Sequence, residues 1–177
     1  MFGIVVQTTI PKTANIIANC RLNRYIGSKF NTMYSFLLNL HSGFRYIVTL
    51  LVLIAIIQSL MGWFGKRLYT ETNRKINLFA FISAHIQLLI GLILYFVSPN
   101  VVFNKSMMTN DVERYWTMEH ITMMIFAIAL ITFGYIRSKK IIIPAQKHRT
   151  IAIYYLLAIL VIFLTLVQGH IPFLGMK

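Results

Sequence analysis

Five histidines, His41, His85, His120, His148 and His170, are the side chains of this chain best suited to chemistry. Imidazole binds iron, copper and zinc, and it exchanges protons near neutral pH. Other usual metal ligands are scarce. Cys20 is the single cysteine, so neither a thiolate cluster nor an internal disulfide is available. No Cys-x-x-Cys-His run occurs, which excludes covalent haem attachment. The group this set would suit is a b-type haem held by two histidines. Glu119 directly precedes His120. Arg45 follows His41 by four residues, which on a helix puts its guanidinium on the same face one turn on, where it would pair a haem carboxylate or Glu119. There is no glycine-rich dinucleotide fingerprint, no P-loop and no evident nucleophile–base pair.

The elements that carry these groups are membrane spans. The chain has 177 residues, 58% hydrophobic and 12% charged, with mean hydropathy +0.70. Soluble domains are about 25% charged. Apolar runs cover Tyr46–Phe64, Ile76–Val97, Trp116–Ile136 and Thr150–Gln168, and the spans are set at about 44–64, 76–97, 116–136 and 150–170. The 19 residues of the first run suffice, at ~1.5 Å each, for a hydrocarbon core of ~30 Å. Thr109, Asn110 and Asp111 are good N-caps and predict that the third helix begins before the membrane. Short loops make the helices antiparallel neighbours, so the predicted fold is all-α, an integral membrane four-helix bundle. Ala80, Ala84 and Gly91 read as close-packing positions, and the tyrosines and tryptophans near span ends as an aromatic belt.

Depth sorts the histidines. His41 and His120 lie seven and nine residues into helices that begin near Tyr34 and Asp111. Their depths therefore match to within ~3 Å, which makes them the preferred axial pair. His85 sits near the middle of the second span, where an unpaired imidazole is costly. His148, in a basic loop, would join it in a second haem site only if the fourth helix starts early, near Ala145; otherwise His85 would face His120 from below. Each residue also has an ordinary role. His41, His120 and His170 would serve as interfacial or hydrogen-bonding groups, Arg45 would snorkel to the headgroups, and His148 would be solvated.

Net charge is +13, from 17 Lys and Arg against 4 Asp and Glu. The later basic residues flank apolar runs, which is the pattern of membrane orientation rather than nucleic-acid binding. Loops one and three carry four and five of them, with two in the loop between. Loops one and three are thus expected in the cytoplasm, with both termini outside. Residues 1–32 stand apart as a tail, expected to be disordered or to precede a true start at Met33; without their four basic residues the charge falls from +13 to +9.

The stretches LNLHSGFRYIVTLLVLI, AHIQLLIGLILYFVSP, MEHITMMIFAIALITFG and QKHRTIAI resemble the small four-span bacterial inner-membrane proteins labelled "cytochrome b". The resemblance covers about Met33–Lys177 and includes histidines at positions 41, 85, 120 and 148 and the His-Ser-Gly-x-Arg run at 41–45. It implies haem b and electron transfer in the bacterial inner membrane, with a quinone or another respiratory membrane subunit as partner. Two rivals share the same residues. One is a non-haem accessory or assembly subunit with a structural His/Arg/Glu network; the other is a small proton-relay transporter using His85, Glu119 and His120.

Overall fold

A computed structural model describes residues 12–169, and every regular element among them is helical. Four long helices run α1 (Lys12–Phe64), α2 (Glu71–Val97), α3 (Asp111–Lys140) and α4 (Pro144–Gln168). All four contain a stretch long and apolar enough to cross a membrane. The chain is an integral membrane four-helix bundle. It divides into two compact units at Phe36/Leu37. In the first, helical residues 12–32 are those the sequence set apart as a tail, and the helix continues through Met33 without a break. Ser28 and Thr32 donate their hydroxyls to the carbonyls of Tyr25 and Ser28. The expected last span ends at His170, which lies outside the described residues, as do residues 1–11.

The second unit holds the bundle. Its core is built from Val48, Val52, Ala55 and Ile56 on α1, Ala80 and Ala84 on α2, Ile131 on α3, and Ile151, Tyr155 and Ala158 on α4. These positions recur at three- and four-residue spacing, one stripe per helix. Between membrane helices there is little hydrophobic force, so small residues that admit a neighbour's backbone or ring define the contacts. Ala80, Ala84, Ala127, Ala152 and Ala158 are fully buried. A Cβ at Gly134 would overlap the Tyr154 side chain. Large apolar side chains such as Leu50, Ile57, Leu89, Phe126 and Leu160 point outward, where lipid solvates them.

Local chemistry sets the ends. Helix α2 opens on a capping box between Thr70 and Asn73, and the start of α3 is capped by the Asn110 side chain, which accepts from the amides of Val112 and Glu113. Pro144 opens α4, where its missing N–H costs nothing. Helix α3 changes pitch at Tyr115–Glu119, a π turn in which the His120 amide bonds the Tyr115 carbonyl.

Candidate functional site

The end of the bundle beside the α2–α3 loop gathers His41, Arg45, Gln87, Gly91, Tyr115, Glu119 and His120. His41 on α1 and His120 on α3 face each other with ring centres 6.5 Å apart and planes turned by 69°. The structure thus brings together the two histidines matched by depth. His41 packs its ring against Gly91 of α2, where an added Cβ would come within 3.0 Å of His41 Cε1. Gln87, one turn earlier on α2, donates from Nε2 to the His41 carbonyl (2.9 Å), and the same nitrogen lies 3.3 Å from His41 Nδ1. Gln87 Oε1 is buried without a partner among the described residues.

The π turn arranges the other half. Five residues of α-helix rotate through ~500°, which leaves positions i and i+5 well apart around the axis. An i→i+5 hydrogen-bonded turn brings them over one another. Two such pairs form here. Tyr115 Oη lies 3.3 Å from His120 Nδ1, and Arg114 Nε donates to Glu119 Oε1 at 2.8 Å. Tyr115 is buried and also donates to the Thr165 carbonyl of α4 (3.0 Å). Gly169 makes room for it, since a Cβ there would run into the phenol. Gln168 Nε2 donates to Glu119 Oε2 at 2.7 Å. Glu119 is therefore held by Arg114 and Gln168. Arg45, whose charge lies near both imidazoles, donates to the Tyr46 hydroxyl (3.1 Å) and keeps a buried Nε with no partner among the described residues.

His85 and His148 are not brought together. Tyr155 Oη on α4 donates to the Asn77 carbonyl on α2 (3.3 Å), which sets the register of these parallel helices. His85 is eight residues past Asn77 and His148 seven before Tyr155, in opposite directions. At ~1.5 Å per residue that separates them by roughly 20 Å along the bundle. Helix α4 does start early, at Pro144, but the register keeps the two apart. His85 Nδ1 donates to the Phe81 carbonyl at 2.8 Å, the ring lies 4.2 Å from that of Phe81, and Nε2 meets Thr132 Oγ1 at 3.3 Å.

His148 is buried, not solvated, with 1% of its surface exposed. Early entry into α4 turns it inward against Gly62 of α1 and beside the Tyr69 ring, 5.0 Å between centres. The Leu68 backbone approaches it, yet among the described residues neither ring nitrogen has a partner in hydrogen-bond geometry. Around it, Gln58, Asn73, Asn77 and Tyr69 form a connected polar network between α1 and α2. Burial pushes the Tyr69 phenol up from its ordinary range. His170 lies outside the described residues.

Gln87 and Tyr115 are site residues that the sequence did not single out. Tyr115 read as part of an aromatic belt, and a glutamine within a long apolar run was the only signal for Gln87. Among the described residues no three of His, Cys, Asp and Glu converge. No family model matches the chain, and neither the curated proteins nor the solved structures hold a match to it.

Proposed function

We propose that the chain binds one haem b between His41 and His120 and passes electrons within a bacterial inner membrane. The observation that carries this reading is the 6.5 Å between the two ring centres. Imidazole–metal bonds are ~2 Å long and each nitrogen lies ~1 Å from its ring centre, so a metal between two imidazoles needs ~6 Å from centre to centre. A haem iron takes four ligands from its own ring and two from the protein, so two histidines complete it. When bound, haem b supplies a one-electron ferric–ferrous couple.

The chain's own groups support this in three ways. The orphaned Nε of Arg45 offers a buried cationic donor for a haem carboxylate. Gly91 leaves the His41 ring space that any side chain would fill. The apolar helices around the pair would keep water from the iron. A quinone or another membrane subunit would be the electron partner.

The test is a reduced-minus-oxidised visible spectrum of the detergent-purified protein, with pyridine haemochrome for stoichiometry. The expected result is a reduced α-band of b type at about one haem per chain. His41→Ala and His120→Ala should each abolish it, whereas His85→Ala should retain it. A colourless protein from haem-replete cells would overturn the reading and leave Arg45, Glu119 and the histidines as a structural polar network.

A further inference from the structure

We infer that Tyr115 is a positioning residue that locks His120 in the tautomer with its proton on Nδ1, so that the lone pair is left on Nε2. The inference about the tautomer stands on hydrogen-bond accounting alone; its consequence for ligation rests on the haem reading above.

Tyr115 Oη has one proton and two neighbours. The Thr165 carbonyl, at 3.0 Å, can only accept. His120 Nδ1, at 3.3 Å, can accept or donate according to tautomer. Only one assignment satisfies both contacts: the phenol donates to Thr165, and His120 Nδ1–H donates to the phenol oxygen. The opposite assignment, with the phenol donating to Nδ1, gives up the bond to the Thr165 carbonyl, which then keeps only the Gly169 amide; losing a bond of this kind costs ~0.5–1.5 kcal/mol. The neutral imidazole then carries its lone pair on Nε2.

Three independent features hold the phenol in place. The π turn brings Tyr115 over His120, which an uninterrupted α-helix would not do. Gly169 leaves the space that the phenol fills. The Thr165 carbonyl belongs to backbone in the last turns of α4, where it also accepts from the Gly169 amide at 3.1 Å. Such outer partners fix the tautomer of a ligating histidine and raise its basicity. Tyr115 touches no iron site itself and acts through His120.

The tautomer is read by nitrogen NMR of the haem-free protein labelled with ¹⁵N-histidine, His120 being assigned by its loss in His120→Ala. The expected wild-type spectrum shows His120 protonated on Nδ1. In Tyr115→Phe, which keeps the ring, the same resonances should move to a mixture of tautomers. In the haem-loaded protein, Tyr115→Phe should weaken haem affinity by ~10–100-fold and raise the midpoint potential, because a less basic imidazole stabilises the ferric state less. A wild-type His120 protonated on Nε2 would overturn the proposal without any variant, as would a tautomer indifferent to Tyr115→Phe. The two readings fail separately. A colourless protein with the tautomer shift keeps the Tyr115 assignment and loses the haem, whereas a haem protein without the shift does the reverse.

Discussion

Gln87 decides what His41 can do. With the amide nitrogen against Nδ1, His41 carries its proton on Nε2, and Oε1 has no partner among the described residues. A half-turn of the amide exchanges the two, at the loss of the 2.9 Å bond from Nε2 to the His41 carbonyl. Oε1 then accepts Nδ1–H, and Nε2 is free to ligate. Haem binding requires this second arrangement, so Gln87→Leu should lower haem affinity by ~10–100-fold, the usual loss when a ligand's outer partner is removed. Titration of the apo-protein with hemin measures it, and an unchanged affinity would restrict Gln87 to holding the His41 carbonyl. The pairing of His41 with His120 was expected from residue counts into helices starting near Tyr34 and Asp111; the second start holds, but α1 runs unbroken from Lys12, so the first count does not measure depth from a helix end. The outer partners of the pair were not legible in the sequence. Gln87 lies in an apolar run with nothing to distinguish a lipid-facing amide from an inward one. Tyr115 has the composition and position of a belt residue, and its burial depends on Gly169, 54 residues later.

Helix ends were legible where capping chemistry marks them, as at Asn110, and less so where the backbone adopts a rare conformation. Helix α1 closes with two crossed bonds, Lys66 N–H to the Trp63 carbonyl and Arg67 N–H to the Gly62 carbonyl, with Lys66 at φ 49°. This is the Schellman arrangement, in which the left-handed position is usually glycine. Here the glycine, Gly65, stands one residue too early. An L-residue in that conformation costs about 1 kcal/mol, so Lys66→Gly should stabilise the bundle by roughly that amount. Denaturant titration of the detergent-solubilised protein would read the gain. A loss instead would mean that the Lys66 ammonium contributes more at the membrane surface than the strained φ costs. The π turn had no sequence signature; in it Tyr115 packs against Thr165 and Gly169 at the end of α4. It also undoes simple face assignment, because every residue before Tyr115 is displaced around the axis relative to a regular helix.

Over the whole molecule, composition alone made the four-helix membrane fold legible, whereas the register between helices was not. That register puts the His41–His120 pair at the end beside the α2–α3 loop and His148 at the opposite end. Charge then proposes which end faces the cytoplasm. The loops at the His148 end and the helix turns beside them carry Lys66, Arg67, Arg74, Lys75, Arg137, Lys139, Lys140, Lys147 and Arg149. At the other end Lys105 and Arg114 are offset by Asp111 and Glu113. The positive-inside rule thus predicts a cytoplasmic His148 end, with the histidine pair near the outer surface. Residues 12–32, with Lys12, Arg21, Arg24 and Lys29, bias the first helix in the opposite sense. Cysteine labelling weighs the two. In a Cys20→Ser background, Phe103→Cys and Ile142→Cys introduce single thiols at positions that are 76% and 92% exposed. An impermeant maleimide applied to spheroplasts should label position 103 and spare position 142 until the membrane is opened. The reverse pattern would mean that the basic N-terminal segment overrides nine loop charges. The His41–His120 pair would then face the cytoplasm, and its electron partner would have to be sought on that side.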